Sequence, residues 1–274
     1  MDLVVFDLDG TLLNKQQRIS DFTRDTLTML SRAGIAYTVA TGRTFHAAES
    51  CIEGVEFNLP HVYKNGVLVW QPETSHYSHK NLLSGEEIDA VLGAFAEQAI
   101  TPFVFTLESA GKHTVFHSPV QTDGCRALLK ELTENRGVTA LPLSSLPEGS
   151  CITNISSLCD KKAAAAINQE LGNHSHLMAY MGESLYNKDF AWIDIHHSAA
   201  SKGGALEMLK EPLGVERFIC FGDSDNDLSM FEIADEAYAP ANALTEVKDL
   251  ATEVIEHHND DGIARFLRER FSLS

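Results

Sequence analysis

Two short runs, Leu3-Val4-Val5-Phe6 and Phe218-Ile219-Cys220-Phe221, are apolar at every position, and each breaks off on a cluster of aspartates. A strand that is hydrophobic without alternation reads as one buried on both faces, which in a soluble protein means a parallel sheet with helices on either side. The first run leads into Asp7-Leu8-Asp9-Gly10-Thr11, the second into Gly222-Asp223-Ser224-Asp225-Asn226-Asp227. Open α/β sheets bind ligands beyond the carboxyl ends of their strands, so the two acidic clusters are expected to meet at one sheet edge. Helical spacing of Phe22, Leu27, Leu30 and Ala33, a glycine at 34 suited to a left-handed helix end, and a strand over 35–40 complete one βαβ unit.

The pattern changes between residues 82 and 189. Predicted there are a helix over 86–98 opened by a Ser84/Glu87 capping box, strands over 103–107 and 113–116, a helix over 124–135, a strand over 151–155, a helix over 161–171 and a strand over 176–181. Strand pairs alternating with helices suit an α+β module better than further parallel units. From residue 191 the simple strand and helix alternation resumes. The expected fold class is therefore α/β: a Rossmann-like doubly wound parallel sheet core over 1–81 and 190–274, with an α+β cap inserted over 82–189. Asn65-Gly66, between apolar runs over 61–63 and 67–70, signals a hairpin.

The 274 residues carry 21 Lys plus Arg against 39 Asp plus Glu, a formal charge of −18 that repels a phosphate backbone and argues against a nucleic-acid partner. No apolar run reaches the roughly 20 residues of a membrane span, and the first residues lack a signal-peptide pattern, so no membrane partner and a cytoplasmic location are expected. Five cysteines with no C-x-x-C pair suggest neither a disulfide framework nor a zinc ribbon, and no histidine pair has the i, i+4 spacing with an intervening glutamate that builds a helical zinc site. The Asp223-x-Asp225-x-Asp227 spacing is not a calcium loop, because Leu228 stands where that loop needs glycine and no glutamate closes it.

In an extended backbone Asp7 and Asp9 project to the same side, and two carboxyl groups with few soft donors nearby invite a hard divalent cation such as Mg²⁺. Asp223 and Asp227 bring further carboxylates to the same edge. Thr41-Gly42-Arg43, after the strand over 35–40, offers a hydroxyl, a flexible backbone N–H and a forked cation, all phosphate-binding groups. Ser201-Lys202-Gly203-Gly204 opens a helix and sets an ammonium near its positive end, without the glycine spacing of a P-loop.

In this order these residues closely resemble the haloacid dehalogenase-like superfamily, and within it the Cof-type phosphatases, whose α/β cap is inserted between the second and third motifs. Asp7 to Thr11 resembles the first motif, Thr41 the second, Lys202 the third and Gly222 through Asp227 the fourth. Asn65-Gly66, Asn242-Ala243 and Asp261-Gly262-Ile263 also resemble family positions. Pro240-Ala241 and Lys64 depart from the usual pattern. The resemblance implies hydrolysis of a small phosphorylated metabolite, a sugar phosphate or cofactor phosphate, through an aspartyl-phosphate. Asp7 would be the nucleophile, Asp9 the general acid and base, and Lys202 the catalytic cation. Thr41, Gly42, Lys202 and Asn226 would bind phosphate, with Arg43 and Asn65 on the substrate side. Mg²⁺ would be held by Asp7, the Asp9 backbone carbonyl and Asp223, with Asp227 behind them. A monomer or small homo-oligomer is expected.

Two other readings share these motifs: a phosphotransferase of the phosphomannomutase type, and a non-catalytic phosphometabolite-binding protein on the same fold. A second carboxylate in a phosphate pocket would serve a binder nothing. A mutase needs a cationic site at each end of a bisphosphate, whereas the basic residues Lys112, Arg126, Lys130, Arg136, Lys161, Lys162 and Lys188 are scattered.

Overall fold

The structure, a computed structural model, describes residues 1–107, 113–135, 138–183 and 189–273. Lys112, Arg136 and Lys188 lie outside the described residues. The chain divides into two compact units, Met1–His79 with Ala200–Ser274, and Lys80–Ala199. Among the described residues no helix is long and apolar enough to cross a membrane.

The first unit is built on a five-stranded, all-parallel sheet in the order Glu253–Ile255, Glu236–Pro240, Arg217–Phe221, Asp2–Phe6, Ala36–Val39. The two apolar runs are its central pair, and Leu3, Val4, Val5 and Phe6 are fully buried. Their side chains alternate between two covered faces. Leu3, Val5, Phe218 and Cys220 join one cluster with Ala205, Leu206 and Leu209 of helix Lys202–Leu213. On the other side Phe6 packs on Phe221, and Phe221 meets Phe266 of helix Gly262–Arg270. That helix is tied to helix Asp21–Arg32, since Arg268 Nε donates to Thr26 Oγ1 and the Arg268 guanidinium lies 3.9 Å from the Phe22 ring centre.

Pairing of Phe6 with Phe221 brings both strands to the same level, so Asp7 and Gly222-Asp223 leave the sheet side by side. The Asp7 N–H completes the ladder by donating to Phe221 O at 2.9 Å. Asn65-Gly66 does turn a hairpin, between antiparallel strands His61–Tyr63 and Leu68–Gln71, extended by a third strand His76–Lys80. The turn is more contorted than a two-residue loop: Lys64, Asn65 and Gly66 have φ of 48°, 54° and 97°. A Cβ on Gly66 would lie 2.1 Å from Ser201 O, so only glycine lets the hairpin approach the start of the Lys202 helix.

The second unit carries a six-stranded sheet in the order Leu177–Glu183, Phe190–His197, Ile152–Asp160, Phe103–Leu107, His113–His117, Thr139–Pro142, antiparallel except for its last pair. Helices Gly85–Glu97 and Lys161–Leu171 cover one face, and helix Asp123–Lys130 packs on Phe103, Phe105 and Leu158 of the other. The expected return to the core at residue 190 is corrected here. Phe190–His197 lies inside this sheet, paired on both sides, and the unit runs to Ala199. Its buried Ala191, Ile193 and Ile195 alternate as a half-buried antiparallel strand does. Strands His76–Lys80 and Thr139–Pro142 carry no sequence signal, being short and lacking an apolar pattern.

At the start of its strand, Glu236 accepts from Arg270 Nη2 at 2.9 Å, from Tyr238 Oη at 2.6 Å and from Arg217. These donors, Arg270 foremost, hold its carboxyl down to about 2. A carboxyl whose pKa falls on folding contributes stability above its unfolded value, near 4.5, and loses it as pH drops toward 2. Both arginines are partly exposed, which limits the gain. Urea unfolding of Glu236→Gln should show a loss of about 1–2 kcal/mol at pH 7 that shrinks steadily below pH 4.5. A loss independent of pH would show that packing, not charge, is what Glu236 supplies.

Candidate active site

Asp7 follows the central strand with extended backbone, and the chain then bends sharply because Asp9 stays extended while Gly10 takes φ 71°. A Cβ on Gly10 would sit 2.2 Å from Asp223 Oδ2, so this glycine is what allows the two acidic loops to touch. Thr11 Oγ1 donates to Asp223 Oδ1 at 3.2 Å, and Asn242 Nδ2 donates to Gly10 O at 2.7 Å. Asp227 closes its own loop: Oδ2 accepts from the Asp223 and Ser224 N–H groups at 2.8 and 3.0 Å.

At the centre is Lys202, fully buried at the start of its helix, whose Ser201 cap accepts from Gly204 N–H. Lys202 Nζ donates to Asp7 Oδ1 and Asp227 Oδ1, both at 2.6 Å. Asp7, Asp223 and Asp227 each offer a carboxylate oxygen within 4.8 Å of the others. Burial works against the Lys202 ammonium, yet Asp227 and Asp7 push its pKa up and keep it charged. Burial likewise holds Asp7 well above the usual carboxylate range, helped by Asp227 and Asp223 and opposed by Lys202. Burial and then Asp227 push Asp223 up to about 7. With one ammonium among three carboxyl groups, full ionisation would leave two negative charges uncompensated in a mostly buried site. Hard oxygen donors with that charge fit a divalent cation.

The second motif lies alongside. Thr41 is buried, its Oγ1 accepting from Arg43 N–H at 3.1 Å. Thr41 O accepts from Asn65 N–H, and Arg43 O from Lys64 N–H, so this loop and the hairpin turn are sewn together. Asn226 Nδ2 donates to Asn65 Oδ1 at 2.9 Å, and Gly42 lies against the same Asn65 amide. Asn226 Oδ1 is buried without a hydrogen-bond partner. Thus Thr41, Gly42, Asn65 and Asn226 form one group, and Asp7, Lys202, Asp223 and Asp227 another.

Asp9 departs from expectation. Its carboxylate is not one of the three clustered around Lys202; it is held by Arg43, whose Nε and Nη2 each reach an Asp9 oxygen at 2.7 Å. The chain leaves the strand at Asp7, so the alternation of an extended strand does not govern where Asp9 points. The link from Thr11 to Asp223 and the Asn242 bridge are contacts no sequence spacing signals.

A family model described as haloacid dehalogenase-like hydrolase matches residues 4–267. The chain belongs to this family. Within the haloacid dehalogenase-like hydrolases it is 28% identical over 281 residues, 99% of this chain and 98% of the relative, to a 5-amino-6-(5-phospho-D-ribitylamino)uracil phosphatase of Bacillus subtilis. A haloacid dehalogenase-like hydrolase of B. subtilis shares the fold at TM-score 0.78 and 22% identity, covering 98% of this chain and 99% of that one. A subclass IIB sugar phosphatase does so at TM-score 0.77 and 19% identity, with full coverage of both. The fold, with its parallel core and mixed second sheet, is shared with these solved structures, and by its family and its full-length relatives the chain is an enzyme of the phosphatase class.

A carboxyl whose pKa rises on folding has the opposite stability effect to Glu236. As pH climbs from about 4 to about 7, metal-free protein should lose stability through Asp223. Asp223→Asn should therefore stabilise metal-free protein by about 1–2 kcal/mol at pH 8, with the two forms converging near pH 4. In thermal melts a divalent cation should raise the Tm of the wild type and not of the variant. A variant that melts lower than wild type at pH 8 without metal would show that burial and Asp227 do not penalise the Asp223 carboxylate.

Proposed function

We propose that this hydrolase cleaves the phosphomonoester of a small phosphorylated metabolite, a sugar phosphate or a cofactor phosphate, using Mg²⁺ and an aspartyl-phosphate on Asp7. The observation that carries the reading is the Asp7–Lys202–Asp227 bridge beside Asp223, in which the carboxylates follow two adjacent core strands and the ammonium comes from the start of a helix. Lys202 holds Asp7 Oδ1, which orients the other oxygen for in-line attack on phosphorus. As the Asp7–phosphorus bond forms, the bond to the leaving oxygen breaks, and Asp9 supplies the proton that oxygen needs. Water then attacks the aspartyl-phosphate, with Asp9 taking its proton, and phosphate leaves. Lys202 and the Thr41, Gly42, Asn226 group provide donors for the phosphoryl oxygens.

The metal would be held by Asp7, Asp223 and the Asp9 carbonyl, with Asp227 behind them. When bound it neutralises the charge shared by carboxylates and phosphate. Asp227 suits an outer place because its Oδ1 is taken by Lys202 and its Oδ2 by two backbone N–H groups. The second unit we assign to substrate selection, in keeping with its place between the second and third motifs. The relative named as a 5-amino-6-(5-phospho-D-ribitylamino)uracil phosphatase supports a small phosphorylated metabolite as substrate. No observation on the described residues favours phosphate transfer to a sugar or binding without turnover.

The test is phosphate release from a panel of phosphorylated metabolites and from an aryl phosphate. Activity should vanish on chelation and return with Mg²⁺. Asp7→Asn, which keeps the shape and loses the nucleophile, should lower kcat at least about 10³-fold. Full activity in the presence of chelator, or in Asp7→Asn, would contradict the proposal.

A further inference from the structure

The sequence puts Arg43 on the substrate side, yet its guanidinium has nothing left to offer a substrate. Arginine carries five N–H donors in a fixed fork. Nε donates to Asp9 Oδ2 at 2.7 Å; Nη2 donates to Asp9 Oδ1 at 2.7 Å and to Gln17 Oε1; Nη1 donates to Ala47 O and to Cys51 Sγ, both at 2.9 Å. Every donor is thus engaged by the protein. The fork is anchored away from Asp9 on helix Phe45–Ile52 and on Gln17, which is itself held in a left-handed turn at φ 60° with its N–H donating to Asn14 O. The backbone is fixed as well, since Arg43 N–H donates to Thr41 Oγ1 and Arg43 O accepts from Lys64 N–H. Only 18% of the Arg43 side chain is exposed, against 47% for Asp9.

The asymmetry decides the roles. A carboxylate nearly half exposed is free to take several rotamers, and a bidentate fork anchored at three further points selects one of them. We infer that Arg43 is a positioning residue for Asp9: it fixes the acid's orientation relative to the leaving oxygen and does not bind the substrate phosphate. This rests on the proposed function, in which Asp9 serves the leaving group. It also accounts for an arginine at this position. A lysine could make one of the contacts to Asp9 but could not hold both oxygens while gripping Ala47, Cys51 and Gln17.

Phenyl phosphate and p-nitrophenyl phosphate distinguish the roles, because the phenoxide leaving group depends on protonation far more than nitrophenoxide does. Asp9→Asn should lose at least about tenfold more kcat/KM on phenyl than on nitrophenyl phosphate. Arg43→Lys and Arg43→Gln should show the same bias in kcat, with KM on both esters changed by less than about twofold. Adding Arg43→Lys to Asp9→Asn should give little further loss, since the residue it orients no longer acts as an acid. If the Arg43 variants melt early, Gln17→Ala, which removes one anchor only, should show the same leaving-group bias at smaller size. The inference is overturned if Arg43 variants raise KM on both esters and lose rate equally on them, or if the losses multiply in the double variant. Equal losses on both esters in Asp9→Asn would instead overturn the acid role of Asp9, and wild-type protein inert toward both would overturn the phosphatase reading. The inference falls with either.

Discussion

The ammonium of Lys202, held at 2.6 Å by Asp7 on one side and Asp227 on the other, is the contact around which this site is built. A fully buried lysine is tolerable only with charged partners in good geometry, and here the partners come from separate loops. Asp7 ends strand Asp2–Phe6 and Asp227 closes the loop after strand Arg217–Phe221, so the bridge requires those strands to be adjacent, parallel and level. The lysine itself needs helix Lys202–Leu213 to begin directly over that edge. It is placed there by Ser201 and by the close approach of Gly66. The unbroken apolar runs and the buried ion cluster are therefore two sides of one constraint.

A protein of formal charge −18 would repel an anionic substrate over most of its surface. Under the proposed function attraction has to be local, from Lys202, from backbone N–H groups and from the cation the carboxylates would hold. The same acidic groups that make the metal-free site costly would give a divalent ion its binding energy. The Arg43 fork is spent on Asp9, Gln17, Ala47 and Cys51 and so is not directed at the substrate phosphate.

The parallel core and the four loops that make the site were legible in the sequence, because an unbroken apolar run that ends on dense aspartates fits few arrangements besides a doubly covered strand with a ligand edge. The limit of the inserted unit was not. Ala191, Ile193 and Ile195 make a strand that looks the same in either sheet, and antiparallel pairing with 152–160 and 177–183 is a long-range property. The orientation of Asp9 was equally hidden. Spacing placed it on the side of Asp7 and gave no sign of the turn at Gly10 or of the fork of Arg43, 34 residues on, that holds its carboxylate. Asn242 was visible only as a resemblance, and its role became physical once its amide was seen bonded to Gly10 O.

Thermal unfolding of Lys202→Met, with and without a divalent cation at neutral pH, tests the central claim most directly. Methionine keeps much of the volume and removes the charge, leaving the buried carboxylates of Asp7 and Asp227 unopposed. If the bridge organises the site, metal-free Lys202→Met should lose about 3–5 kcal/mol, the usual effect of removing one partner from a buried ion pair, and a divalent cation should restore part of the loss. An unchanged or higher Tm without metal would contradict it, showing that the loops reach this arrangement without the lysine.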